Sequence, residues 1–591
     1  MRKVPAAICN NGVPGSMYLF HLFRSFLPLH NPIGFGAADF VLFAFAVLLA
    51  AGVIARAWLA PAAQRLAQRP VWCMAFLFGL VVVLRLALLP LHPVPTPSGA
   101  DDFSYLLLGD TLAHFRLANP VHPLHRFFET TFVIQEPSYS SIYALGQGFA
   151  LALGQLAFGE PWAGVLISMG LLAALAYWML QGWTPPGWAL TGGLLAVCEF
   201  GPLNRWMNNY WGGAVSAIAG CLAFGALPRL RTGRRRWAYG IALGAGLGLQ
   251  MLTRPYESLF LDLSVLLYFV PQLRRRAEWP RLLRLALPVA VALVPAVALQ
   301  LAQDQAVTGS WTTLPYALSR YQYGVPTTFT FEPNATPHRA LTQAQQLYYE
   351  GQAYVHGPID TPGRYFERLA SRAGFYRFFF LTPLLLALPF FFAGRWGYED
   401  GWLLVTIALF AFGANFYPYF FPHYLAALTP LFLLLSVRSL QRLSESRWSG
   451  GQAAARWLVI LCGAHFAFWF FIHAQADESM LRATAAFETA DGINYGDPEG
   501  RVAVNRKLAQ APGRHLVFVR YFSTHNYHEW IHNAADIDGA RVIWALDLGP
   551  GENEELKRRY PDRTVWLMEP DAIPPRLAPY PKSHGIFEDV Q

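Results

Sequence analysis

Residues 72–91 read WCMAFLFGLVVVLRLALLPL, twenty positions with one charge, Arg85. Twenty helical residues rise about 30 Å, the thickness of a bilayer's hydrocarbon core. The run ends in Pro90-Leu91-His92-Pro93-Val94-Pro95-Thr96-Pro97, where the prolines stop any helix. Two adjacent carboxylates, Asp101-Asp102, then open a polar loop. A membrane span that delivers paired acids to its outer end fixes the class of fold. It also poses a question about chemistry, because carboxylates near a low-dielectric boundary serve as bases, bind cations, or merely cap a helix.

The whole composition agrees with a polytopic membrane protein. Of 591 residues, 54% are hydrophobic and 14% charged, against about 25% charged in soluble domains. Mean hydropathy is +0.29 and the isoelectric point about 9.2. The basic balance comes from arginines in short loops, so it reports topology rather than nucleic-acid binding. The five cysteines (Cys9, Cys73, Cys198, Cys221, Cys462) show no CxxC and no metal spacing. The apolar patch from Met17 to Leu29 is broken by His21, Arg24 and Pro28 and does not read as a cleavable signal.

The expected fold is all-α and polytopic, with about 12 transmembrane helices plus in-plane helices on the outer face. The spans fall near 38–58, 72–91, 162–183, 187–205, 209–227, 237–253, 257–271, 285–303, 376–393, 401–416, 417–437 and 457–475. The arginine-rich loops at Arg229–Arg236, Arg274–Arg284 and Arg438–Arg456, with Arg65 and Arg69, belong inside. That places 93–160, 304–375 and the tail from about 476 outside. Residues 141–159 are apolar enough to cross, but a crossing there would put the Asp pair and the Arg229–Arg236 cluster on incompatible sides. We therefore read them as a helix lying in the outer interface. For the N-terminus the signals conflict: two spans before the loop imply an outside start, while Arg2, Lys3 and Arg24 argue for an inside one. Residues 1–475 form the membrane domain, and 476–591 a small soluble α/β domain on the outer side. In that tail, His515–Tyr521, Arg541–Leu546 and Thr564–Met568 read as strands and Glu552–Tyr560 as a helix.

The order of elements after the first span carries a resemblance. Asp101-Asp102 is followed by Tyr105, by Asn119-Pro120, and by a second apolar helix ending in Phe158-Gly159. This resembles the opening outer loop of the GT-C glycosyltransferases, in the branch of the protein mannosyltransferases and lipid A aminoarabinose transferases. The resemblance covers roughly residues 72–260, with a looser echo at Tyr417–Tyr424. Two features depart from the pattern. A Tyr-Pro-Pro or Lys-Pro stretch is replaced by Tyr143-Ala144-Leu145, and a later aspartate has no counterpart in residues 206–211.

The resemblance implies an integral membrane enzyme that transfers a sugar from a polyprenyl-phosphate donor to an acceptor on the outer side of a bacterial-type inner membrane. Members of the group differ in whether they use a divalent cation, and no metal ligands are assigned. By carry-over, Asp101 is the base. Asp102 is its partner in tuning or cation binding, or simply the cap of a helix starting at Phe103. Two carboxylates this close repel, which raises one pKa toward a useful range. Arg254, in Thr253-Arg254-Pro255-Tyr256-Glu257, is the candidate for the donor phosphate; the structural alternative pairs it with Glu257 or lipid headgroups. Arg85 is expected to pair inside the membrane with a carboxylate such as Glu199.

Asn208, Asn209, Tyr210 and Trp211 suit sugar recognition, with Tyr105 and His423 as further substrate-side candidates; an interfacial aromatic belt explains the rings equally well. Glu129, Gln135 and Glu136 line the acceptor side or a solvated loop. The tail run from His525 to His532 spaces histidines three and four apart, but it lacks the HExxH order, so surface histidines are the better reading. The competing class is a transporter or lipid flippase, and a third reading is a scaffold whose outer tail binds partners. The chain shows no internal repeat and its polar residues gather in outer loops, which favours the enzyme. No Walker lysine or phosphate-cradling glycine loop is present.

Overall fold

The computed structural model describes residues 36–55, 59–232, 236–475, 500–523, 525 and 528–581. The N-terminal patch with Cys9, the arginines at 234 and 235, and Asn526 and Tyr527 lie outside the described residues. In chain order the membrane half comprises α1 (Ala37–Ala55), α2 (Leu59–Ala67), α3 (Pro70–Leu88), α4 (Ala100–Ala113), α5 (Leu145–Phe158), α6 (Pro161–Leu180), α7 (Pro186–Phe200), α8 (Ala214–Thr232), α9 (Arg236–Thr253), α10 (Pro255–Leu273) and α11 (Trp279–Thr308). The second large loop carries α12 (Pro315–Tyr323), α13 (Gln343–His356) and α14 (Pro362–Ser371). After it come α15 (Leu388–Ala393), α16 (Tyr398–Ala414), α17 (Thr429–Ser444) and α18 (Gly451–Gln475).

Among the described residues, six helices are long and apolar enough to cross a membrane: Pro70–Leu88, Pro161–Leu180, Ala214–Arg231, Arg276–Thr308, Pro422–Ser444 and Gly451–Gln475. A seventh arises if Pro362–Phe379 and Thr382–Ala393, bent by 117°, form one span. The chain is thus a multi-pass membrane protein with fewer such helices than the twelve-span expectation. The expected spans at 187–205, 237–253, 257–271 and 401–416 do form helices, but these fall short in length or apolarity. Packing explains one of them. On α9, a Cβ at Gly244 would lie 2.2 Å from the Val289 carbonyl oxygen, and one at Gly240 would lie 2.6 Å from Pro288. Glycines there serve helix-to-helix approach at the expense of hydropathy.

The segment expected to lie in the outer interface is α5, 14 residues long. At about 21 Å it is too short to cross. It ends on Gly159, whose φ of 71° is a left-handed C-cap. It packs on α4, where Gly109 and Gly148 admit Leu151 and Leu108.

The tail folds as its alternating pattern dictates. Strands β3 (Arg514–Val519), β4 (Val542–Leu546), β5 (Arg563–Glu569) and β6 (Arg576–Pro579) follow a two-stranded ladder, β1 (Val133–Ile134) with β2 (Ser140–Ser141), in the first loop. The tail sheet runs β4-β3-β5-β6, parallel except for β6. Helices α19 (Arg501–Gln510) and α20 (Pro550–Arg559) accompany it. One buried cluster joins Leu107, Phe127, Phe128, Val133 and Tyr139 of the first loop to Leu516, Phe518, Ile543, Ala545 and Leu556 of the tail. Each such side chain is worth roughly 1.5–3 kcal/mol when buried. The half-exposed Arg126–Glu552 pair at 3.0 Å contributes about 1 kcal/mol or less. Apolar burial therefore holds the tail on the loop.

Candidate active site

The helix bearing the acid pair starts earlier than expected. Gly99 is the N-cap of α4, so Asp101 and Asp102 lie in its first turn, where the helix dipole favours negative charge. Neighbours on a helix point about 100° apart, and the two carboxylates do different work. Asp102 is buried. Its oxygens accept the backbone N–H groups of Tyr210 at 3.1 Å and Ser98 at 3.3 Å. Burial pushes its carboxyl up to about 6, against the pull of those two N–H donors. It ties the loop after α7 to the loop after α3.

Asp101 is partly exposed and accepts a hydrogen bond from the Tyr143 hydroxyl. Burial raises its pKa, while the Tyr143 bond and the positive charges of Arg254 and Arg205 hold it down. Tyr105 stacks on Tyr143 with centroids 4.0 Å apart, and Tyr316 meets Tyr143 edge-on at 5.5 Å. Phe132, also edge-on to Tyr143, holds a left-handed φ of 64°. A bulky side chain adopts that conformation only where its surroundings enforce it.

The cations come from two other elements. Arg254 caps α10 in the tight turn after α9. Its guanidinium lies 3.5 Å from Glu257 and 5.0 Å from the Tyr424 ring. The pairing with Glu257 is thus present, on an arginine whose field also reaches Asp101. Arg205 opens a one-turn helix, Arg205–Met207, with its guanidinium 5.0 Å from the Trp211 ring. Trp211 meets His423 edge-on at 4.8 Å, and His423 meets Tyr424 edge-on at 4.8 Å. The rings thus run in a chain from Arg205 to Arg254.

Of the residues singled out in the sequence, Asp101, Tyr105, Arg254, Trp211 and His423 are gathered here. The amides of the 208–210 segment are engaged in its own scaffold. Asn208 donates to the carbonyls of Pro202 at 3.0 Å and Asn204 at 2.9 Å, and accepts from Arg85 at 3.1 Å. Asn209 accepts from Gly212 N–H at 3.0 Å. Tyr210 donates its hydroxyl to Pro95 and accepts from Gln147.

Arg85 corrects an expectation. Its guanidinium goes to Asn208, to the carbonyls of His92 at 2.9 Å and Pro93 at 3.1 Å, and to the Trp162 face at 4.8 Å, instead of to Glu199. Lying in the last turn of α3, it reaches outward to the proline-stopped carbonyls, as long basic side chains do near helix ends. Glu129 and Glu136 join the first and second large loops through Arg339, at 3.3 and 3.0 Å, while Gln135 donates to Phe128.

The tail histidines share no helical face. His525 bonds Asp571 at 2.7 Å, His528 pairs with Gly99, and the His532 ring lies tilted against Phe103. Among the described residues no group of three or more His, Cys, Asp or Glu is placed to hold a metal ion. Sequence reasoning assigned no role to Tyr143, Tyr316 or Arg205. A lone tyrosine gives no local signal, and an arginine in an aromatic loop gives little more.

No family model matches the chain, and no curated protein matches it. Solved structures similar to it include ArnT from Cupriavidus metallidurans bound to undecaprenyl phosphate, at 13% identity and TM-score 0.47, covering 84% of this chain and 92% of that one. The Archaeoglobus fulgidus oligosaccharyltransferase in complex with Zn and sulfate is similar at 13% identity and TM-score 0.39, over 83% of this chain and 67% of that one. AglB from the same organism, in complex with an inhibitory peptide and a dolichol-phosphate, is similar at 13% identity and TM-score 0.34, over 84% and 69%. Each of these likenesses extends over more than four fifths of this chain at low sequence identity.

Proposed function

We propose that this chain is an integral membrane glycosyltransferase that moves a sugar from a polyprenyl-phosphate donor to an acceptor on the outer side of the membrane. One arrangement supports it above the others: a hydrogen-bonded carboxylate, Asp101, beside the packed rings of Tyr143, Tyr105 and Tyr316 and within the field of Arg254 and Arg205. Asp101 takes the proton of an acceptor hydroxyl or amine. The acceptor atom bonds to the anomeric carbon as the bond from that carbon to the phosphate oxygen breaks. The departing polyprenyl phosphate carries the negative charge, and the two guanidiniums face it. A single displacement inverts the anomeric centre. Undecaprenyl phosphate and dolichol-phosphate, the lipids in two of the neighbours, are the carrier class we propose here.

The test is purified protein in lipid nanodiscs with undecaprenyl-phosphate-linked sugars and a panel of hydroxyl and amine acceptors. Wild type should transfer sugar, and Asp101→Asn should lose about 10²–10⁴-fold in rate while still folding and binding undecaprenyl phosphate. Full activity in Asp101→Asn would remove the base assignment. Movement of lipid across vesicles without sugar transfer would favour the flippase reading.

A further inference from the structure

The tail domain does more than sit on the outer loop, because one of its segments follows the acid-bearing helix from end to end. At the start of α4, His528 pairs with Gly99 in an antiparallel bridge, and Glu529 N–H donates to the Ser98 carbonyl at 3.2 Å. Ser98 is the residue whose own N–H is accepted by Asp102. One turn further, the Phe103 ring is held on two sides, by His532 with centroids 4.6 Å apart and by the Arg501 guanidinium at 4.6 Å. Arg501 also covers Trp530 at 4.2 Å and donates to the Glu529 carbonyl, so it locks the segment to itself and to the helix together. At the far end, Ala535 N–H donates to Asp110 at 2.7 Å, and the other oxygen of that carboxylate takes Gln155 of α5 at 2.9 Å. Beside the helix, the Tyr139 hydroxyl donates to the Asn533 carbonyl at 3.1 Å.

The register is consistent throughout. From Gly99 to Asp110 the helix rises about 16 Å, and the stretch 528–535 has the length to run beside it when extended. Trp530, Ile531, Asn533 and Ala535 are buried against the loop and the rest of the tail. His532 is pushed down to about 3, first by burial and then by the charge of Arg501, so it stays neutral against Phe103 at any working pH.

We infer that residues 528–535 are a strap that sets the aim of Asp101, with Arg501 acting as a positioning residue through Phe103. The inference rests on the reading of Asp101 as the base, but its first readout does not. The strap grips the helix at the residues flanking the acid pair, leaving Asp101 to face Tyr143 and the arginines. Loosening Phe103 frees the first turn, and the Asp101 carboxylate with it.

The experiment uses the full chain in nanodiscs as wild type, Arg501→Ala, Arg501→Lys and Phe103→Leu. The first readout is the rate at which a water-soluble carbodiimide modifies Asp101, followed by peptide mass spectrometry. Arg501→Ala and Phe103→Leu should raise that rate about threefold or more as the first turn opens locally, while Arg501→Lys, which keeps a cation between the rings, should restore it. The second readout is transfer: kcat should fall about tenfold or more in the two loosened variants, as small misplacements do, with donor KM within about twofold. Undecaprenyl phosphate binding serves as the folding check, and Phe103→Leu, the milder change, covers a failure of Arg501→Ala to fold. Unchanged modification rates would overturn the strap. Faster modification with wild-type kcat would overturn its role in aiming the base. If wild type transferred no sugar, the proposed function would fall, and the modification rates would still decide the strap.

Discussion

Asp101 and Asp102 are chemically identical neighbours, and the fold gives them opposite surroundings. Asp102 meets two backbone N–H groups and holds a loop; Asp101 meets a phenol and the field of two guanidiniums. The consequence for pH dependence has a definite sign. Burial raises the Asp101 pKa above its ordinary 3.8, and the Tyr143 hydrogen bond opposes the rise. Tyr143→Phe removes that opposition, so the pKa climbs further and the carboxylate form, which a base requires, is reached only at higher pH. The acidic limb of kcat/KM should therefore move to higher pH in Tyr143→Phe, with the rate above the limb retained in large part. A limb that moved to lower pH would show that the phenol does not stabilise the ionised base. The acid pair was legible in the sequence because it follows a span and precedes a helix. Tyr143 was not, because its value comes from a fold that stacks it on Tyr105 and aims it across to a helix 42 residues away.

At the scale of elements, glycine decides how closely the outer helices press on the membrane helices. A Cβ on Gly164 of α6 would lie 1.7 Å from the Ala150 carbonyl oxygen of α5, and one on Gly154 of α5 would lie 2.4 Å from Gly164 N. Both obstacles are backbone, so no side-chain rotation relieves them. Gly164→Val should force α5 off α6 and lower the thermal unfolding midpoint in detergent, since overpacking alone costs about 1–3 kcal/mol. Substitution at the open Gly187, where nothing lies within 4 Å of an added Cβ, should be mild by the same assay. An equal loss at both sites would mean that helix propensity, not contact, sets the cost. The same economy explains the span count. A hydropathy window rewards apolar bulk, and helices built for close approach or broken by prolines score low or stop early. Residues 376–393, expected as one span, instead fall across a 117° bend between Pro362–Phe379 and Thr382–Ala393.

For the molecule as a whole, the arginine count made the strongest claim, that the acid pair and the arginine-rich loops face opposite sides. A membrane-impermeant thiol reagent applied to intact cells tests it. A cysteine placed at the half-exposed Glu136 should be labelled from outside, and one at the exposed Arg447 only after the membrane is opened. Labelling of both from outside would overturn the topology. Three of the tail's strands and its helix α20 were readable within a few residues, because alternating apolar residues and turn formers specify them locally; β6 and α19 were not read. Its docking was not readable, because the contacts join residues as far apart as Asp110 and Ala535, 425 positions along the chain.

That separation bears on how the protein is made. The ribosome finishes the acid-bearing helix long before it reaches the strap, and chains emerge at roughly 5–20 residues per second. For the better part of a minute the nascent chain holds its carboxylates with nothing fastened over them. Only after the tail is made does the final fastening arrive. With the proposed strap, a chain that stalls or is clipped before residue 528 would carry an unbraced first turn, so the proposed activity would be gained last.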